Sequence, residues 1–147
     1  MATRATIRVA KREEGVSFSE KTDNYHTQIY NHYDGYPEGL GVTLASYLSD
    51  ISVVNGLGGL TTPKANGLGC LVAQLVCHLK APDGEIREGN VYVDSKDAKR
   101  SWIDYEYYVW AAENKSVWIS IFDNEECLFV GEPDGLLEKY SQTKYEE

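Results

Sequence analysis

Proline, histidine, cysteine and methionine are scarce here: four Pro, three His, three Cys and one Met in 147 residues. The cysteines are Cys70, Cys77 and Cys127. Their odd, small number rules out a disulfide-built scaffold and fits a reducing compartment. No Cys or His pair has the spacing of a zinc site, so no metal and no cofactor is expected. No stretch approaches the ~18 consecutive apolar residues of a membrane span. The segment Met1–Val9 has no apolar h-region, so no secretory signal is expected and the location reads as cytoplasmic. Lysine and arginine are missing altogether from Thr22 to Pro63. With 23 acidic against 14 basic residues the net charge is −9, and duplex nucleic acid and anionic membrane are repelled.

What is present is an ordinary globular composition, 42% apolar and 25% charged, in a chain of one domain's length. The aromatics are skewed: eleven Tyr and three Trp against three Phe, so aromatic surface mostly carries a polar handle. They concentrate in Tyr25–Tyr36 and Trp102–Trp118.

Alternation of apolar and polar side chains predicts strands over Thr6–Ala10, Val16–Ser19 and Tyr25–Tyr33, joined as an antiparallel meander. Apolar residues at helical spacing predict a helix from about Pro37 to Val53 and a second from Gly67 to Lys80, with a Gly-rich loop over Asn55–Gly69 between them. Strands return at Asn90–Asp94, Trp102–Ala112, Val117–Phe122 and Cys127–Val130, and a short helix is expected within Gly131–Gln142. The tail Ser141–Glu147 is polar and expected to fray. The fold class is therefore α+β in one domain, residues 1–147: a single, mostly antiparallel sheet with two central helices on one face and a short C-terminal helix.

Two stretches carry candidate chemistry. In Tyr30–Gly41, His32 and Asp34 could exchange protons, Tyr36 could stack, and Gly39 opens a helix whose free N–H groups attract anions. The same residues also suit a plain turn, with Asp34 capping it, Pro37 starting the helix and Glu38 complementing its dipole. In Trp102–Trp110, strand parity puts Asp104, Glu106 and Tyr108 on one face, about 6–7 Å apart from one to the next, as a carboxylate pair or as an ordinary solvated face. Arg4 and Arg8 share a parity on the first strand and could hold a small phosphate, or face solvent. His26 and His32, six apart and on the same side of one strand, could join Asp34 or Asp104 in a metal site. Lys96, Lys99 and Arg100 form a second basic cluster.

The run Ile29–Gly41, with Asp104–Val109 downstream, resembles a group of small bacteriophage and prophage proteins sharing a His-x-Asp-Gly-Tyr-Pro-Glu-Gly turn and a later Asp-x-Glu-Tyr strand. The resemblance spans about Thr3 to Phe122; the Gly-rich segment lies outside it. It implies a setting, an accessory protein acting against host defence in the bacterial cytoplasm, rather than a reaction. Three functions are then open. A homo-oligomer could sequester a nucleotide-type immune signal, such as a cyclic nucleotide or a cyclic ADP-ribose isomer, through Arg4, Arg8, His32, Asp34, Tyr36, Gly39, Asp104, Glu106 and Tyr108. An acidic surface could block a host defence protein by mimicking nucleic acid. A small hydrolase could use His32, Asp34, Asp104 and Glu106, although no catalytic set is legible and an enzyme is the less favoured reading.

Overall fold

The structure is a computed structural model describing residues 2–56 and 64–141. The alternating N-terminal residues form β1 (Ala5–Lys11) and β2 (Thr27–Asn31). A π turn over Pro37–Gly41 leads into α1 (Val42–Leu48), followed by β3 (Ser52–Val54), β4 (Lys64–Asn66) and α2 (Gly67–Lys80). The second half supplies β5 (Val91–Asp94), β6 (Tyr105–Ala111), β7 (Trp118–Asp123), β8 (Glu126–Gly131) and α3 (Pro133–Tyr140).

Six strands make one sheet in the order β5-β2-β1-β6-β7-β8. Every neighbouring pair is antiparallel except β1 and β6, which run parallel in the centre with Arg8 opposite Tyr108. Buried on both sides, β1 lacks the simple alternation of a half-exposed strand. One sheet face carries Ile7, Val9, Ile29, Tyr107, Val109, Ile119 and Ile121. Onto it pack Leu44 and Leu48 of α1, Leu71 and Leu75 of α2 and Leu136 of α3. Each such side chain contributes about 1.5–3 kcal/mol by leaving water, which is why helices with one apolar stripe settle there. The expected α+β architecture, with its helices on one face, is the architecture observed.

Three local expectations give way to tertiary contacts. Val16–Ser19 is not a strand; it lies in a strap, residues 12–26, across the helix-free face, where Phe18 packs on Trp110 and Trp118 with ring centroids 5.0 and 5.4 Å away. The first helix stops at Leu48 instead of Val53, because the β-branched Ile51, Val53 and Val54 favour extended chain and Ser52–Val54 pairs in parallel with β4 as a two-stranded ribbon. That ribbon also takes Lys64–Asn66 out of the expected Gly-rich loop, whose residues 57–63 lie outside the described residues, as does most of the expected frayed tail.

Both outer strands of the sheet are blunted by lysine. Lys80 Nζ, ending α2, donates to the Val91 carbonyl of β5 at 3.0 Å. Lys139 Nζ of α3 donates to the Leu128 carbonyl of β8 at 2.8 Å. Among the described residues no helix is long and apolar enough to cross a membrane.

Candidate functional site

Strand order determines what lies on the helix-free face. Because β5 and β6 run in the same direction with β2 and β1 between them, the connection Ser95–Asp104 must cross two strands. It crosses the helix-free face and is tied down there: Gln28 Nε2 donates to the carbonyls of Ser95 and Ala98 at 3.1 and 2.9 Å. The 12–26 strap covers the same face from the other side. Tyr108 holds it by accepting from Thr22 N–H at 3.2 Å and donating to Thr22 O at 3.0 Å. Tyr25 OH bridges strap to crossover by donating to the Lys96 carbonyl at 2.7 Å.

Between strap and crossover is a cleft of about 580 Å³, floored by Thr6, Arg8, Gln28, Glu106 and Tyr108. That volume suits a small-molecule ligand. Its walls bring Lys21 and Tyr25 from the strap, and Lys96, Lys99 and Arg100 from the crossover. Five basic residues (Arg8, Lys21, Lys96, Lys99, Arg100) meet four acidic ones (Asp23, Asp94, Asp97, Glu106). The balance is thus slightly positive in a chain of net charge −9.

Arg8 is the centre of the floor. Its Nη1 donates to Glu106 Oε1 at 2.5 Å and to Tyr108 OH at 3.0 Å, and its Nε to Gln28 Oε1 at 3.0 Å. Its guanidinium lies 5.2 Å from the Tyr25 ring centroid and 5.6 Å from that of Tyr108. Lys21 Nζ donates to the other Glu106 oxygen at 2.5 Å and lies 3.6 Å from Glu125. Burial pushes the Glu106 carboxyl up, but the bonds and charges of Lys21 and Arg8 outweigh it and hold the group below its ordinary value. Burial likewise works against the Arg8 charge, yet Tyr108 and Glu106 raise its pKa overall. On the crossover, Arg100 grips Asp94 with two bonds of 2.7 and 2.8 Å and lies 3.8 Å above the Tyr30 ring. Among the described residues, the ammonium groups of Lys96 and Lys99 have neither hydrogen bond nor ion pair, and both residues are exposed.

Of the ligand-binding residues expected from sequence, Arg8, Glu106 and Tyr108 stand in this cleft, joined by Lys96, Lys99 and Arg100 of the basic cluster; Arg4, His32, Asp34, Tyr36, Gly39 and Asp104 do not line it. Asp104 precedes β6 and accepts the Arg4 backbone N–H at 2.9 Å, so it is not a side-by-side partner of Glu106. His32 Nδ1 pairs with Tyr30 OH at 2.7 Å at the end of β2. Asp34 accepts from Tyr36 OH at 3.1 Å. The turn that follows is a packing device, and its amides are used internally: Gly35 N–H binds Thr3 O, Gly39 N–H binds Tyr36 O and Leu40 N–H binds Asp34 O, each at 2.9 Å. A Cβ at Gly39 would sit 2.6 Å from Asp34 O, and one at Gly35 would sit 2.8 Å from the Ala5 Cβ. Tyr107, on the helix side of β6, donates to Gly35 O at 2.7 Å. The Asp34–Gly39 turn therefore lies on the opposite face of the sheet from the side chains of Glu106 and Tyr108. Near the turn, Tyr105 is raised by burial and then by the carboxylates of Asp123, Glu38 and Asp104 around it.

Lys21, Tyr25 and Gln28 carry much of the cleft and were not singled out by sequence reasoning. Signals that could have pointed to them are the Lys96, Lys99 and Arg100 cluster that crosses this face and the polar Gln28 inside a strand. Among the described residues, no group of three His, Cys, Asp or Glu side chains is arranged to hold a metal ion. No family model matches this chain, and no curated protein or solved structure matches it either.

Proposed function

We propose that this chain binds a small anionic ligand of nucleotide type in the cleft between strap and crossover and holds it without cleaving it. The observation that carries the reading is the reversal of charge: five of the fourteen basic residues of an acidic chain line one cleft, two of them with ammonium groups that have no partner among the described residues. Tyr25 and Tyr108 add aromatic rings for a base to lie against. The engagement of Glu106 and Asp94 supports retention without cleavage. Glu106 is held ionised by two cations, Asp94 is clamped by Arg100, and no histidine lines the cleft among the described residues. The resemblance to phage accessory proteins supplies the setting, sequestration of an immune signal such as a cyclic nucleotide or a cyclic ADP-ribose isomer in the bacterial cytoplasm. Association of copies belongs to the same proposal, and the lysine-blunted outer strands direct that contact away from the sheet edges.

Calorimetry with adenosine monophosphate, cyclic mono- and dinucleotides and cyclic ADP-ribose isomers tests it. Binding heat, with intact ligand recovered after heat denaturation, is the expected result. Recovery of a cleaved product refutes sequestration, and absence of heat across the panel refutes the ligand reading.

A second reading has its own observation. Glu38, Asp104 and Asp123 surround Tyr105 at one end of the sheet, away from the cleft. Such a patch suits docking of a basic host protein. Capture of a partner that releases as salt is raised, and that an Asp104→Asn, Asp123→Asn variant no longer captures, supports this reading.

A further inference from the structure

Resting on the reading of the cleft as a ligand site, we propose that it binds its ligand in one direction and thereby selects for a single phosphoryl group. The ligand's anionic group lands on Lys96 and Lys99 of the crossover, and its hydroxyl donors face Glu106 on the floor. Within that reading the class selected carries one phosphoryl group, a cyclic mononucleotide, a nucleoside monophosphate or a sugar phosphate; cyclic dinucleotides, cyclic ADP-ribose isomers and polyphosphates are disfavoured.

The argument is an accounting of charge. Arg8 and Lys21 share Glu106, each at 2.5 Å, and Lys21 has Glu125 at 3.6 Å as well. Arg100 is matched by Asp94 through two bonds. An anion brought to any of these three cations arrives beside a carboxylate that is already held in place. Among the described residues, Lys96 and Lys99 are the lining cations with no such partner, and they lie on the same short segment.

Glu106 has the opposite preference. An ionised carboxylate accepts about four hydrogen bonds, and Arg8 and Lys21 occupy one on each oxygen. The remaining lone pairs receive hydroxyl or amine hydrogens and repel phosphoryl oxygens. Asp23 in the strap wall reinforces that rejection, and Asp97, between Lys96 and Lys99 on the crossover, limits the positive charge of the anion-binding half. A ligand with one anionic end and a hydroxyl-bearing body satisfies both halves of the cleft. A chain of phosphates satisfies one half and is repelled by the other.

Calorimetry with adenosine monophosphate, adenosine and pyrophosphate as probes separates these contributions in three forms of the chain. In the unmodified chain, adenosine monophosphate is expected to bind at least tenfold more tightly than either adenosine or pyrophosphate. The exposed pair Lys96→Ala, Lys99→Ala should lower that affinity at least tenfold with an unchanged thermal midpoint. Glu106→Gln should cut the preference for adenosine monophosphate over pyrophosphate at least tenfold, with circular dichroism confirming the fold. An unchanged preference in Glu106→Gln overturns the proposal, as does full affinity in the double lysine variant; both outcomes leave the ligand reading standing. If no probe binds any form, this proposal is overturned, and the wider panel of cyclic nucleotides and cyclic ADP-ribose isomers decides the ligand reading.

Discussion

Arg8 Nη1 and Glu106 Oε1 stand 2.5 Å apart across the one parallel strand pair of the six-stranded sheet. Register explains the geometry. Thr6 is opposite Glu106 and Arg8 is opposite Tyr108, so the guanidinium reaches diagonally between two acceptors on the neighbouring strand. Lys21 then closes on the same carboxylate from the strap. Strand pairing, the anchoring of the strap and the electrostatics of the cleft thus meet in Glu106.

Glu106 should therefore govern stability at neutral pH and lose that role in acid. Its folded-state pKa is depressed, so its contribution is fully present above the unfolded value of ~4.3 and is lost as pH falls through the folded value. Removing an acceptor shared by two half-buried cations should cost about 1.5–3 kcal/mol in Glu106→Ala at pH 7. Urea unfolding of the unmodified chain and of Glu106→Ala at pH 7, 5, 4 and 3 measures this. The gap between the curves should close toward the lowest pH; a gap independent of pH contradicts the assignment.

The turn at Asp34–Gly39 makes a different prediction, because its glycines are explained by contacts within the fold. A Cβ at Gly39 meets backbone oxygen at 2.6 Å and the Tyr36 ring at 3.0 Å, and one at Gly35 meets the Ala5 Cβ at 2.8 Å. Backbone and a buried strand cannot move aside cheaply, so Gly39→Ala and Gly35→Ala should each lose about 1–3 kcal/mol. Tyr107→Phe, which deletes the buried bond to Gly35 O, should lose about 1–3 kcal/mol as well. Thermal denaturation reads all three losses. Ligand affinity at the cleft, measured well below the midpoint, should stay unchanged; a variant that binds poorly while fully folded would bring the turn back into the site.

The elements legible in sequence are those whose own residues specify them. The Leu71, Leu75, Leu79 stripe of α2 marks its helix from Gly67 to Lys80 without help from the rest of the chain. The aromatic and β-branched runs of β6 and β7 mark those strands, and only their ends move. The ribbon of β3 and β4 was hidden because three-residue strands carry too little pattern, and their pairing joins segments separated by the Gly-rich stretch. Phe18 misled in another way: one aromatic between polar residues imitates alternation, yet it is held by Trp110 and Trp118 from outside the sheet. The cleft was hidden for a related reason. Which face Lys96, Lys99 and Arg100 cross depends on β5 pairing with β2 at the sheet edge, a long-range choice that local periodicity does not encode. Trp102, expected on the strand, falls outside it with a φ of +65°, a conformation that ends the extended run ahead of Tyr105.

The two lysines on the outer strands yield a prediction about assembly. An outer strand offers unpaired N–H and C=O groups to any other strand, and a charged side chain against that edge discourages pairing. Lys80 and Lys139 sit in that position on β5 and β8, each donating to a strand carbonyl from the end of a helix packed beside it. The need is greatest at β5, where Tyr92 and Val93 are exposed next to the edge. Replacing both lysines with alanine frees those carbonyls and removes two positive charges, so the double variant should self-associate through its sheet edges. Sedimentation velocity across a tenfold concentration range should show a concentration-dependent larger species absent from the unmodified chain, whatever that chain's own oligomeric state. Lys80→Arg with Lys139→Arg, which keeps charge and donor, should sediment like the unmodified chain. Identical profiles for the alanine and arginine forms would mean that the lysines do not protect the edges.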